Sequence, residues 1–205
     1  MKVLGLSCYY HDSAAALVVD GKIVAAGAEE RFSRRKHDNA FPAGAIASCL
    51  QIGGLPAADL DAVAYYEKPI RKFDRILVSA LGGFPRTGAG FVQAIPKSWK
   101  LNLRIDGAIR RHFGKALRAQ VYYGEHHRSH AASAYYPSGF DSAAVLTLDG
   151  VGEWATATVG RGEGNRLELL EEIRFPHSLG LFYSALTAYL GFEVNEGEWK
   201  VMGLA

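Results

Sequence analysis

The chain has 205 residues, a formal net charge of +2 at neutral pH and an apolar fraction of 49%, which is typical of a globular protein. Its basic residues are scattered and are not interleaved with aromatic residues, which argues against a nucleic-acid-binding surface. The chain has two cysteines without the spacing of a metal site, and it shows no signal-peptide pattern and no stretch long enough for a membrane span. These features predict a reducing, cytoplasmic location.

A three-stranded antiparallel meander is predicted at the start of the chain. Short runs of β-branched and small apolar residues cover 3–7, 14–19 and 23–28. Asp20-Gly21 separates the last two runs, and an Asp-Gly pair in that position is a strong hairpin signal. The basic run 31–36 that follows is predicted as a loop, and a solvated loop and an anion-binding loop both stay open.

Helices and single strands alternate through the middle of the chain. Pro42 begins a helix that runs to Gly53-Gly54, and strands are predicted at 61–66 and 119–123. Between those two strands, glycine and proline residues break the region 70–113 into helices around a flexible loop.

A second meander is predicted from Ala143, after a helix and the breaker Pro137-Ser-Gly139. It turns around 162–165 and leads into a helix at 178–190. The order βββ, α, β, α, β, α, βββ, α predicts an α/β fold with a mixed sheet and a boundary just after that breaker. The second meander lacks the elements that complete the first, so the chain is predicted to be part of a longer protein.

Two histidines four residues apart are candidate metal ligands. His126 and His130 lie where a strand continues into a helix, so both rings can face one side, whereas His127 points elsewhere. Asp149, at the tip of the second meander's first strand, is the best-placed third ligand. The alternatives are surface or capping histidines, and a turn role for Asp149 before Gly150.

The first strand of the first meander also ends in polar residues, His11 and Asp12. If the two meanders face each other, His11 reaches the cleft that contains Asp149 and acts as a general base toward a hydroxyl group. The alternative is a hydrogen-bonded histidine that holds its loop together.

Glycine turns and a helix start are candidates for phosphate binding. The backbone N–H groups of Gly150 and Gly152 can cradle an anion, and Ser178-Leu-Gly180 begins a helix whose first N–H groups favour one. A plain turn and a helix N-cap are the corresponding alternatives. Residues 195–203, which include Lys200, suit either ligand contact or a structural Ω-loop.

Motifs in order along the chain resemble the O-carbamoyltransferases of nodulation-factor and antibiotic biosynthesis. The matching motifs are His11-Asp-Ser-Ala-Ala-Ala, Glu29-Glu30-Arg31-Phe32 with Arg34-Arg35-Lys36-His37-Asp38, His126-His-x-Ser-His130-Ala-Ala-Ser-Ala, Leu148-Asp149-Gly150-Val-Gly152-Glu153-Trp154, Phe175-Pro-His177-Ser178-Leu-Gly180-Leu, and Asn195-x-Gly197-Glu198-x-Lys200-Val-Met-Gly203-Leu-Ala. Each motif is weak alone, but the ordered set covers nearly the whole chain.

The resemblance implies an N-terminal domain of the duplicated actin and sugar-kinase (ribonuclease H-like) superfold, similar to the tRNA threonylcarbamoyl-transfer enzymes. Residues 1–140 would form its first subdomain, and residues 141–205 the truncated start of the second. A C-terminal domain, absent from this chain, would make carbamoyl-adenylate from carbamoyl phosphate and ATP. The N-terminal domain would then transfer the carbamoyl group to a hydroxyl of a sugar-containing or antibiotic-like small molecule.

The resemblance and the spacing together assign the site residues. The metal, iron by resemblance, would be bound by His126, His130 and Asp149, with a further aspartate of the family beyond Ala205. The catalytic residues would be His11 and Asp12. The contacts to ATP or carbamoyl-adenylate would be Gly150, Gly152, Ser178, Gly180 and Lys200.

Two other functions are compatible with the sequence. One is an ATP-dependent phosphotransferase of the same superfold, and the other is a non-catalytic nucleotide-binding module. No nucleic-acid or membrane partner is predicted, and the sequence determines neither the acceptor nor the oligomeric state.

Overall fold

The computed structural model describes residues 1–10, 12–85 and 105–205, and the chain divides into two compact units, Met1–Gly124 and Glu125–Ala205. The unit boundary lies earlier than the boundary predicted after residue 140. The reason is that the helix at 126–135 packs on the strands that follow it, so it belongs to the second unit. The predicted flexible loop within 70–113 lies in large part outside the described residues.

The first unit is built on a five-stranded mixed sheet. Its strands, in the order β3-β2-β1-β4-β5, are β1 (Lys2–Ser7), β2 (Ala14–Val19), β3 (Lys22–Ala28), β4 (Ala62–Tyr65) and β5 (Gln120–Tyr123). Strand β2 is antiparallel to β1 and β3, whereas β4 is parallel to β1 and β5. The predicted α/β fold with a mixed sheet is therefore confirmed, and the duplicated superfold stays a prediction.

Four helices lie in the described part of the first unit. They are α1 (Glu30–Ser33), α2 (Ala43–Gly53), α3 (Pro69–Gly82) and α4 (Ile105–Phe113), with 3-10 turns at Ala57–Asp59 and Gly114–Ala116. Helix α2 begins directly after Pro42, as predicted, and ends at Gly54 with a φ of 61°. Helix α1 differs from the prediction, because the basic run 31–36 was predicted as a loop. Its first residues form a helical turn that ends at Arg34, whose φ is 58°.

The first unit contains the predicted hairpin and a buried apolar core. Asp20 and Gly21 have φ values of 48° and 80°, as a two-residue turn between antiparallel strands requires. Helix α2 packs on β2 and β3. Both cysteines, Cys8 and Cys49, are buried and unpaired, and burial raises the pKa of the Cys8 thiol to about 12. They act as small apolar core residues.

A buried carboxylate connects the end of the meander to the start of α2. Glu29 is 8% exposed, and its two oxygens accept hydrogen bonds from the N–H groups of Gly44, at 3.0 Å, and Ala45, at 2.8 Å. The N-cap residue of α2, Pro42, has no side-chain acceptor to offer these donors. Glu29, which directly follows β3, therefore caps α2 from a distant position in the sequence and faces the positive end of the helix dipole.

Replacing Glu29 by alanine is expected to lower the free energy of unfolding by about 2–4 kcal/mol, because one buried and one partly buried N–H group lose a charged acceptor. Glu29→Gln keeps one acceptor oxygen and is expected to cost less. Glu30→Ala, at the neighbouring and more exposed position, is the control and is expected to cost less than about 1 kcal/mol. Urea unfolding measures all three, and equal losses at the two positions would contradict the capping role.

The second unit is built on a three-stranded antiparallel meander. Its strands are β6 (Ser142–Leu148), β7 (Ala155–Glu163) and β8 (Arg166–Arg174), as the sequence predicted. Helix α5 (His126–Tyr135) packs on one face of this sheet, and Ala131, Tyr135 and Val145 form the buried contact. At the end of α5 the Tyr135 hydroxyl donates to the carbonyls of Asp141, at 3.0 Å, and Gly164, at 3.1 Å.

Two further helices follow the meander, α6 (Leu179–Tyr189) and α7 (Glu198–Leu204). Helix α6 confirms the predicted helix, but α7 occupies part of a segment that was predicted as a loop. Its formation has a local cause, since the Glu198 carboxylate accepts the Asn195 N–H at 3.0 Å and so fixes the first turn. None of the helices in the described ranges has the length and apolar character needed to cross a membrane.

Candidate metal centre

Three side chains of the second unit converge. The ligand atoms of His126, His130 and Asp149 all lie within 4.8 Å of one another. Nε2 of His126 is 2.7 Å from Oδ2 of Asp149 and 3.0 Å from Nε2 of His130. Nε2 of His130 is 3.8 Å from Oδ2 of Asp149. The structure thus brings together the three residues that the sequence predicted as ligands.

Local structure explains why these atoms meet. Glu125 is still extended, and the helix begins at His126, so His126 and His130 lie one turn apart on the same helix face. Asp149 directly follows β6 and pairs its backbone N–H with the Thr156 carbonyl at 2.9 Å. Its Oδ1 accepts the Gly150 N–H at 2.7 Å, which leaves Oδ2 for the histidines.

Hydrogen bonding alone does not satisfy this trio. A neutral imidazole nitrogen has either a proton or a lone pair, so Nε2 of His126 cannot both donate to Asp149 and accept from His130. A cation between the three atoms satisfies both lone pairs and the carboxylate at once. Two imidazoles and a carboxylate are a donor set suited to iron, zinc and similar divalent ions. The residues therefore fit the divalent metal that the resemblance implies.

The charge state of Asp149 agrees with a ligand role. The imidazole of His126, followed by that of His130, holds the pKa of the carboxyl well below its usual range, against the opposing effect of burial. The group is consequently ionised at neutral pH, as a metal-binding carboxylate must be.

His127 is buried beside the centre and uses both ring nitrogens. It is 4% exposed, with Nε2 at 2.9 Å from the Ala155 carbonyl oxygen and Nδ1 at 2.6 Å from the Thr147 hydroxyl. Because a carbonyl only accepts, Nε2 carries the proton and Nδ1 accepts from Thr147, whose oxygen is 2.6 Å from the Thr158 hydroxyl. Burial lowers the pKa of His127, which favours this neutral form. The sequence predicted that His127 points away from the proposed ligands, as is observed. Nothing in the local sequence indicates its hydrogen bonds to Thr147 and Ala155.

The two glycines of the Asp149 loop have structural partners. The Gly150 N–H donates to Asp149, and the Gly152 N–H donates to the Ala155 carbonyl at 3.0 Å. A Cβ on Gly152 would lie 2.9 Å from Cδ2 of His126 and 3.0 Å from Cδ2 of His127. Both N–H groups are engaged within the chain, as in the turn alternative, and phosphate contacts at these two glycines stay predictions.

Ser178 and Gly180 hold the same loop from the start of α6. The Ser178 hydroxyl accepts the Leu181 N–H at 3.0 Å as an N-cap and donates to the Gly150 carbonyl at 2.6 Å. A Cβ on Gly180 would lie 2.6 Å from the Asp149 carbonyl oxygen, so glycine permits this close approach. The N-cap alternative is therefore observed, and nucleotide contacts at these residues stay predictions.

Three further residues, Lys200, Asp12 and His11, were predicted from the sequence as site residues. Nζ of Lys200 is 5.5 Å from the ring centre of Trp199 and 5.9 Å from that of Phe192, within cation–π range. Its contact with a nucleotide stays a prediction. Asp12 lies in the first unit, where its Oδ1 is 3.0 Å from Nδ1 of His37. His11, the predicted base, lies outside the described residues.

Known proteins resemble the chain over its whole length. The family model described as Carbamoyltransferase N-terminus matches residues 2–205. The uncharacterized protein sll1178 of Synechocystis sp. is 48% identical over 99% of this chain and 34% of its own length. The nodulation protein NolNO of Sinorhizobium fredii is 37% identical over 96% of this chain and 28% of its own length. The chain thus spans roughly a third of these relatives.

A more distant likeness exists among solved structures. YeaZ from Pseudomonas aeruginosa superposes with a TM-score of 0.46 and 16% identity, covering 85% of this chain and 67% of the other. A score of this size is too low to establish a shared fold.

Proposed function

Because the chain belongs to the carbamoyltransferase N-terminus family, we propose that it is part of an enzyme that transfers a carbamoyl group to the hydroxyl of a small molecule. The proposed donor is carbamoyl-adenylate, made from carbamoyl phosphate and ATP in the cytoplasm. The proposed acceptor is a sugar-containing or antibiotic-like alcohol, in keeping with the similarity to a nodulation protein. The observation that carries the proposal is the convergence of His126, His130 and Asp149 in a chain of this family.

The proposed metal centre has a defined chemical part. A divalent metal, iron by resemblance, would be held by His126, His130 and Asp149 and would supply a Lewis acid for the phosphate-linked donor. The chain's own contribution is to keep the three ligand atoms in place. Gly150 and Ser178 fix the Asp149 loop, and the acceptor hydroxyl needs a base, for which His11 is the residue predicted from the sequence.

The product distinguishes the candidate functions. The complete gene product is incubated with carbamoyl phosphate, ATP and a panel of sugars and aminosugars, and the products are identified by mass spectrometry. An O-carbamoylated sugar is expected. A phosphorylated sugar would indicate the phosphotransferase instead, and nucleotide binding without any product would indicate a non-catalytic module.

A further inference from the structure

The sheet of the second unit has one face that α5 covers and one apolar face that it does not. Alternate side chains of β6 point to opposite faces, and Val145 packs against α5. On the opposite face, Leu146 is 63% exposed and Leu148 is 57% exposed. The strand register places apolar residues of β7 and β8 beside these two leucines. With the start of α6 they line one cavity, and its apolar residues are called the open face: Leu146, Leu148, Ala157, Val159, Ile173 and Leu179.

Helix α6 carries apolar residues on every side. Its eleven residues include no charged side chain, and of these residues only Thr187 is buried. Phe182 and Tyr189 are both largely exposed, and α7, which contacts α6, adds the exposed side chain of Trp199. A helix that is apolar all round is typical of the interior of a larger protein. The exposed surface of α6 therefore indicates a packing partner.

The two outer edges of the same sheet differ in charge. Strand β8 has five charged residues among its nine, and charges on an edge strand oppose pairing with a further strand. Strand β6 has none, and no strand of the described residues pairs with its outer edge. In the first unit, β1 is likewise the first strand of a meander, and its outer edge pairs with β4. The edge of β6 is therefore the side at which a further strand can join this sheet.

The relatives of this chain indicate what covers these surfaces. The matching family model is described as an N-terminus, and the chain covers only 34% of one relative and 28% of another. Large exposed apolar patches mark interaction sites in folded proteins. In proteins of this length, the polypeptide outside the matched segment is long enough to cover such a patch.

We propose that the open face, α6 and the outer edge of β6 form the docking surface for the part of the gene product that follows Ala205. Apolar side chains of that part pack on the open face and on α6, and one of its strands pairs with β6. Because the Ser178 hydroxyl at the start of α6 donates to the Gly150 carbonyl, the docked polypeptide also supports the loop that carries Asp149. This inference does not depend on the reaction that the enzyme catalyses.

Thiol labelling of one introduced cysteine measures whether the open face is covered. Both native cysteines are buried, so their own reaction with iodoacetamide is expected to be slow. In the complete gene product, Leu146→Cys is expected to react at least about 100-fold more slowly than Asn165→Cys, because a covered site reacts only when it opens. Asn165 lies at the exposed turn between β7 and β8 and is the control. In the 205-residue chain the two cysteines are expected to react at similar rates.

Three results of this labelling overturn the proposal. Similar rates for the two cysteines in the complete gene product mean that nothing covers the open face. Slow labelling of Leu146→Cys in the 205-residue chain as well means that the chain itself covers it. Slow labelling that becomes fast when either protein is diluted to the monomer, as judged by light scattering, means that a second copy covers it.

A charged substitution tests the same surface in the complete gene product alone. Leu146 and Ile52 of α2 are almost equally exposed in this structure, at 63% and 64%. Leu146→Asp is expected to lower the urea midpoint of unfolding clearly, because docking would bury its carboxylate, whereas Ile52→Asp is expected to change it little. Equal shifts in the two variants overturn the proposal.

Hydrogen exchange of the unmodified complete gene product tests the edge of β6. Amides of β6 are expected to exchange as slowly as those of β7, which has a strand on both sides. Fast exchange of every second amide of β6, as in an unpaired edge strand, overturns the pairing of β6 with a further strand. A protein that carbamoylates no acceptor overturns the proposed function instead and leaves all of these measurements decisive.

Discussion

His130→Ala is expected to lower the affinity for a divalent metal by at least about 100-fold, and carbamoyl transfer with it. His130 supplies one of two imidazole nitrogens directed at Asp149. Once it is removed, His126 can donate its Nε2 proton to Asp149 at 2.7 Å, so the two remaining side chains satisfy each other without a cation. The variant therefore loses a proposed ligand, and its remaining side chains no longer need a cation to satisfy their hydrogen-bonding groups. Calorimetric titration of the chain with Fe(II) or Zn(II) measures the change.

The unfolding free energy of His130→Ala shows whether a loss of metal affinity comes from the missing imidazole or from unfolding. The His130 side chain is 51% exposed, so its truncation is expected to cost less than about 1 kcal/mol of unfolding free energy. His112→Ala removes an exposed histidine of the first unit and is expected to leave metal affinity unchanged. Wild-type metal content in His130→Ala, after dialysis against a chelator, would contradict the assignment of the centre.

The convergence of His126, His130 and Asp149, the proposed metal ligands, was predictable from the sequence because its geometry is local. His126 and His130 meet through helical periodicity, and Asp149 is placed by the end of a strand that the sequence shows as a short apolar run. The meanders and most helices follow from the same local rules. Short helices are the exceptions, since α1 and α7 form through side-chain contacts and turns that hydrophobic periodicity does not encode.

The partners of polar groups were not predictable, because they depend on contacts between residues far apart in sequence. The sequence leaves Gly152 open to a phosphate or a turn, and only the position of the Ala155 carbonyl shows that its N–H is engaged. Glu29 likewise accepts a hydrogen bond from Gly44 of α2, which lies fifteen residues further along the chain. The contact between Asp12 and His37 spans 25 residues and has no signature in spacing.

His127→Leu is expected to lower metal affinity by about 10- to 100-fold although His127 is not among the ligands, because groups behind a metal ligand fix its orientation. Its two hydrogen bonds connect α5, which carries both proposed histidine ligands, to the strands on either side of the Asp149 loop. Leucine fills the space but leaves the Ala155 carbonyl and the Thr147 hydroxyl without this partner. His127→Gln restores an N–H for the carbonyl and is expected to recover part of the affinity.

Tyr135→Phe distinguishes positioning from general destabilisation in the same helix. It removes the hydroxyl that bonds the Asp141 and Gly164 carbonyls at the far end of α5, at a cost of about 1–3 kcal/mol. Because His126 lies at the other end, Tyr135→Phe is expected to lower the unfolding temperature while metal affinity, measured well below that temperature, changes less than about threefold. Equal losses of affinity in Tyr135→Phe and His127→Leu would mean that the centre responds to the stability of the whole unit. A loss confined to His127→Leu, partly restored by glutamine, would mean that this one buried ring sets the position of the ligands.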